Sequence, residues 1–253
     1  RINAKWKEMV DILFQVQEKS TIFLRYFILA HYETNEHKVR ENQIYDWFMK
    51  NEEKCNYNTH PIAFVNNLIE NAKAYVGFLE GKNKDGTINR YLVNIRCLSN
   101  AARKHLILLL AAKNLPIDCF TELCRQIENL LFVSAMTSDR HKGIDGVFAK
   151  WAVELRQIKD ITELHNFVRD RIQPLKQKAA SRFANTFRKL SESSLQTYQV
   201  KYILAKITQY IDESAWGKSG GIEDLTNYIR LLDIEHILPI VNLEEVRESF
   251  DKP

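Results

Sequence analysis

Apolar positions recur at helical spacing along almost the whole chain. Between Ala4 and Gln17, the residues Trp6, Met9, Val10, Leu13 and Phe14 fall at i, i+3, i+4, i+7 and i+8, which places them on one buried stripe of a helix. Ile22–Tyr32, with Ser20 and Thr21 available as caps, is apolar nearly all round and predicts a helix enclosed on several sides. His31, in this helix, has no second ligand-type residue at metal spacing and reads as a hydrogen-bonded core or edge histidine. Glu33–Lys38 reads as a loop, and Val39–Met49 as a helix ending in Tyr45, Trp47 and Phe48. These aromatics are assigned to the core, because base-stacking surfaces interleave aromatics with cations and this one does not. A polar stretch, Asn51–Asn58, precedes Thr59 and Pro61, which open a long helix through Phe78. Lys82-Asn83-Lys84-Asp85-Gly86 is a turn. Helices follow over Tyr91–Leu98 and Ala101–Ala112, and after the break at Asn114-Leu115-Pro116 another spans Ile117–Met136.

In the second half, Thr137–Asp145 is polar and holds Asp139, Arg140, His141 and Lys142 in a row. A loop leading into a helix offers cations and backbone amides to phosphate, so Arg140 and Lys142 are candidate contacts; a solvated turn is the competing reading. Helices over Val147–Ile158 and Ile161–Ile172 lead to a basic helix, Leu175–Leu190, carrying Lys176, Lys178, Arg182, Arg188 and Lys189 around Phe183 and Phe187. The two phenylalanines are i, i+4 neighbours on a buried face, and Lys178, Arg182 and Lys189 project from another arc. This helix is the strongest candidate for a DNA-backbone contact, weighed against a merely solvated basic face. The last long helix, Leu195–Tyr210, is predicted to turn Tyr198, Tyr202, Ile203, Ile207 and Ile211 inward. Gly217-Lys218-Ser219-Gly220-Gly221 reads as a linker, since it lacks both the preceding strand and the residue order of a phosphate-binding loop. Beyond it, Leu231–Leu238 predicts a short strand interrupted by Asp233, Glu235 and His236, and Leu243–Phe250 a short helix.

Composition sharpens this picture. Across 253 residues, 8 glycines and 5 prolines are too few for a loop-rich or all-β protein, so the fold class is mainly α: a multi-helix bundle followed by a short segment of different architecture. The expected division is a helical domain over 1–216, with a candidate sub-boundary near 82–86 or 137–146, and a second unit over 222–253. A net charge of +4 permits nucleic-acid binding without requiring it. Cys55, Cys97, Cys119 and Cys124 form no CxxC pair and are expected as reduced thiols in a cytoplasmic protein. No apolar run approaches the roughly 18 residues of a membrane span. The opening Arg1-Ile2-Asn3, without methionine or signal pattern, fits a piece of a longer protein.

The string Glu235-His236-Ile237-Leu238-Pro239 resembles the (Asp/Glu)-His-Ile-x-Pro signature of the His-Me finger, or HNH, nucleases. Its closest likeness is to the Glu-His-Ile-Leu-Pro form in the C-terminal domain of GmrSD-type restriction endonucleases, which act in bacterial phage defence. The segments Phe23–Ala30, Ile44–Phe48 and Tyr202–Leu204 are similar to the helical middle region of those proteins. The resemblance implies a ββα-metal finger beginning within 222–253, with His236 as general base and Glu235 as a ligand of Mg²⁺ or another divalent cation. It implies DNA as substrate, with a second protomer and an N-terminal domain as further partners. The family's Asp-Gly-Gln-Gln-Arg motif, linked to nucleotide hydrolysis, does not occur here, so any nucleotide would act through an N-terminal domain that this sequence lacks. The family's downstream Gly-Asn-Leu segment and finger-helix asparagine are also missing before Pro253. A helical scaffold or interaction module, with His236 structural, is the alternative.

Overall fold

In the computed structural model, residues 2–34, 39–98, 103–137, 144–189, 196–216 and 229 are described. They form helices α1 (Ile2–Phe14), α2 (Ser20–His31), α3 (Ile44–Lys50), α4 (Glu52–Cys55), α5 (Pro61–Leu79), α6 (Arg90–Leu98), α7 (Leu106–Ala111), α8 (Ile117–Met136), α9 (Ile144–Leu155), α10 (Ile161–Phe167), α11 (Gln173–Arg188) and α12 (Thr197–Trp216). The mainly helical expectation holds, and the one β feature among the described residues is an isolated antiparallel bridge between Lys82 and Ile88.

The centre of the bundle is α7. Leu106, Ile107, Leu108, Leu109 and Leu110 are all fully buried, and five consecutive side chains point all round a helix, so other helices must enclose it. α2, α5 and α9 do so, and α1 packs along α5. α2 is apolar on every side as its sequence predicts, with Phe23, Phe27, Ile28 and Leu29 fully buried. One continuous apolar core runs from Met9 to Ile172, crossing both the 82–86 turn and the 137–146 region.

Part-buried polar pairs fix how these helices meet. Arg25 pairs with Asp145 on α9 and donates from Nε to the Val39 carbonyl at 2.6 Å. Glu18 takes the Tyr75 hydroxyl at 2.7 Å and Arg103 at 3.0 Å through one carboxylate oxygen, tying the end of α1 to α5 and to the turn before α7. His31 Nε2 lies 2.7 Å from Asn71 Oδ1, and Asn71 donates back to the Asn67 carbonyl at 2.8 Å. His31 is thus the hydrogen-bonded histidine expected of it.

The turn after α5 begins at Gly81, whose φ of +85° is left-handed. A Cβ built there would stand 2.5 Å from Val93 Cγ2, so glycine is required for space as well as conformation. Asp85 then closes the turn, accepting from Thr87 N at 2.9 Å and Thr87 Oγ1 at 2.6 Å.

Several sequence expectations need correction. Phe14 is 78% exposed, because α1 packs chiefly on α5 and a single neighbour covers only the narrow stripe of Met9 and Leu13. Tyr45 is also exposed, whereas Trp47 and Phe48 do pack, Trp47 against Tyr32 and Phe48 edge to face on Phe64. The helix expected from Val39 starts at Ile44 after a 3₁₀ turn, Glu41–Gln43, and the polar stretch 51–58 contains the single turn α4. The largest departure is α12, which extends to Trp216. Of the five side chains expected inside, only Tyr202 is buried; Tyr198, Ile207 and Ile211 are 43%, 50% and 56% exposed. α12 is seated instead through Tyr202, Ala205 and Gln209, an i, i+3, i+7 stripe that includes a polar residue.

Candidate nucleic-acid interface

The basic helix is α11, and it is not a separate element. α10, a π-turn over Val168–Ile172 and α11 form one unbroken helical run. Pro174 accounts for the wide turn: it has no N–H, and in a regular helix its ring would collide with the carbonyl four residues back. The Gln173 N–H reaches back five residues to the Val168 carbonyl, which inserts the extra residue that relieves the clash.

Phe183 fixes the rotation of α11 about its axis. Its ring meets Phe132 of α8 at 5.8 Å, edge to face, and stacks on Phe187 at 5.3 Å, while Ala179 is buried one turn earlier. Lys176, seven positions before Phe183, falls on that same inward stripe. It is half-buried, its Nζ donates to Gln126 Oε1 at 3.3 Å, and burial, with Arg125 nearby, lowers its pKa. Lys176 is therefore a contact between α11 and α8. Lys178, Arg182 and Lys189, at i, i+4 and i+11, lie on the opposite, exposed arc, and Arg188 is exposed beside them. Just upstream, Arg169 pairs with Asp170 and Arg171 with Glu154, both at 2.8 Å, so the positive surface of this run is concentrated on α11.

Beneath α11 and α12 lies a buried ionic cluster that sequence reasoning missed. Glu128 of α8 is 3% exposed, and its Oε1 accepts from Tyr202 Oη at 2.7 Å, from Asn94 Nδ2 at 3.0 Å and from Lys206 Nζ at 3.0 Å. Burial and then the neighbouring Glu128 carboxylate raise the Tyr202 pKa, so its phenol stays a donor. One carboxylate oxygen thus joins α6, α8 and α12. A buried carboxylate is tolerated only when it is paired and hydrogen-bonded in this way. The signal was present in the sequence, since Glu128 lies at i+4 from Cys124 and i−3 from Leu131, on the apolar face of α8. Leu98, Tyr202 and Ala205 form a small second core at this junction, with Phe132 and Ile229 packed against it. Phe132 also packs, tilted, against Tyr202 at 5.6 Å, so one ring serves both α11 and α12.

Of the other residues singled out, His236 and Glu235 lie outside the described residues, as do Arg140, Lys142, the Gly217–Gly221 linker and the expected strand and helix of the finger segment. Among the described residues, no group of three or more His, Cys, Asp or Glu side chains is arranged to hold a metal ion. No described helix is long and apolar enough to cross a membrane. All four cysteines are free thiols, and burial raises the pKa of Cys55, Cys119 and Cys124. His105 is buried, its Nδ1 has no hydrogen-bond partner, and burial with Arg103 nearby holds its pKa at about 4. An unsatisfied buried polar group of this kind costs about 1–3 kcal/mol.

Compared with family models, with curated proteins and with solved structures, the chain matches none of them.

Proposed function

We propose that this chain is the C-terminal part of a metal-dependent DNA endonuclease of the GmrSD type, acting in bacterial restriction or phage defence. The observation that carries the reading is the string Glu235-His236-Ile237-Leu238-Pro239, which follows a helical frame bearing an exposed basic helix. In this reading 222–253 begins a ββα-metal finger. His236 is the general base that takes a proton from the attacking water, a role suited to a group titrating near neutral pH. The Glu235 carboxylate is a hard oxygen donor of the kind that holds Mg²⁺ through one or two protein ligands. The bound cation would supply charge stabilisation to the phosphate. Lys178, Arg182, Arg188 and Lys189 would grip the phosphate backbone, a contact that positions DNA without reading its sequence.

The reading is tested by incubating supercoiled plasmid with the intact protein that carries this chain, with Mg²⁺ and with excess chelator. Nicked or linear product that appears with Mg²⁺ and disappears with chelator supports it; plasmid that stays supercoiled under both conditions counts against it.

A second reading, a helical interaction module, is favoured by the outer face of α12. There Leu204, Ile207 and Ile211 are 44%, 50% and 56% exposed and follow one another at i, i+3 and i+7, an apolar stripe that a binding partner would cover.

A further inference from the structure

We propose that the cavity between α5, α6 and the turn preceding α7 binds a small amphiphilic anion, an apolar body ending in one carboxylate. The cavity encloses about 400 Å³, within the range of ligand pockets. Phe78, Leu92 and Ile95, all buried, form its apolar wall, and Leu79 and Val16 continue that wall toward the opening.

The charged groups of the lining leave a positive excess. Glu80 is paired with Lys82 at 2.8 Å, and Arg103 is paired with Glu18 at 3.0 Å. Arg96 is the remaining cation of the lining, using one N–H on the Glu80 carbonyl at 3.2 Å. A guanidinium carries five N–H donors, so Arg96 and Arg103 both retain donors suited to the fork of a carboxylate. His105 also lines the cavity, and its Nδ1 is a fully buried ring nitrogen without a protein partner. Two arginines and an apolar wall together match a headgroup and a short tail, with the His105 ring as part of the lining. A cation would meet Arg96 and Arg103, and a neutral polar molecule would waste the apolar wall.

The test is calorimetric titration of the full chain with sodium octanoate, with octylamine hydrochloride and 1-octanol as matched ligands. Octanoate is expected to bind one to one with a Kd of roughly 1 mM or tighter. Its addition should shift the ring-proton resonances of His105. Octylamine should not bind, and octanol should bind more weakly than octanoate. Arg96→Gln is expected to weaken octanoate roughly tenfold, as removal of one charged hydrogen-bonding partner should. Arg96→Lys should restore part of that affinity. Leu79→Trp, at the partly exposed rim, should block binding while the circular dichroism spectrum stays native. Octylamine binding as tightly as octanoate, an unchanged affinity in Arg96→Gln, or the absence of saturable binding would each overturn the proposal.

Discussion

The Tyr202 hydroxyl donates to Glu128 Oε1 at 2.7 Å, and through that bond the last long helix is locked to the body of the protein. The same oxygen takes Asn94 and Lys206, so three helices converge on a single atom. Ile229, seven residues before His236, packs against the small core on which Tyr202 stands. In the proposed function this junction joins the helical frame to the chain that leads to the motif.

Tyr202→Phe keeps the ring and removes the donor, so it should destabilise the protein by about 1.5–3 kcal/mol, the range for a hydrogen bond to a charged group. Glu128→Ala should do worse, by about 3–5 kcal/mol, because it empties the centre of the cluster and leaves its donors unpaired. Urea unfolding followed by circular dichroism measures both. Equal stability of Glu128→Ala and the wild type would refute the cluster's structural role.

Gly81 and Gly86 both have φ near +85°, but only Gly81 faces a neighbour within touching distance. Gly86→Ala should therefore cost about 1 kcal/mol from backbone conformation alone. Gly81→Ala adds the clash with Val93 and should cost more, about 2–3 kcal/mol. Thermal melts of the two variants side by side check the order.

Burial dominates the downward shift of both His31 and His105, and each has a folded-state pKa of about 4 against an ordinary 6.5. The unfolded chain binds these protons between those values and the folded chain does not. Stability is therefore fully present above pH 6.5 and falls as pH drops toward 4, by about 1.4 kcal/mol per pH unit for each histidine. The carboxylates of Glu70 and Asp145, held below their usual range, add a further loss at the acid end of this window and below it. The histidine share is isolated by comparing urea unfolding of the wild type and His105→Asn at pH 7 and pH 5. The variant should show the shallower pH dependence, and parallel curves would contradict the assignment.

Much of the frame is readable from periodicity, and the misses have particular causes. α2 is legible because an enclosed helix writes its burial on every position, and the unbroken Leu106–Leu110 run of α7 carries the same signature. α12 misleads because it carries aromatic and branched residues on more than one arc. Tyr202 and Ile207 look equivalent in sequence, yet only Tyr202 has Glu128 and Phe132 opposite it. Lys176 resembles the surface cations by type, although its spacing from Phe183 puts it on the inward stripe. The junction of α10 and α11 reads as a break at Pro174, but the π-turn carries the helix through. The place of Glu128 on the apolar face of α8 is legible, but its partners Tyr202, Asn94 and Lys206, like the cavity around Arg96 and His105, are residues far apart in the chain that meet in space, which periodicity within one helix does not encode.

Charge on α11 has a direct consequence for DNA affinity. The triple variant Lys178→Glu, Arg182→Glu, Lys189→Glu reverses the exposed arc without touching Phe183 or Ala179, so folding should be preserved. Binding to duplex DNA should weaken, and the slope of log K against log salt should fall by about 0.9 for each phosphate that the protein no longer neutralises. Lys176→Gln, on the inner stripe, should leave that slope unchanged. Filter binding across a salt series separates the two, and an unaltered slope in the triple variant would remove α11 from the interface.

The most direct measurement of the central claim is plasmid cleavage by His236→Ala in the intact protein that carries this chain, with Mg²⁺ and beside the wild type. Removal of a general base is expected to slow cleavage roughly 10²–10⁴-fold while DNA binding is retained. A variant that nicks plasmid at the wild-type rate would show that His236 is not the base.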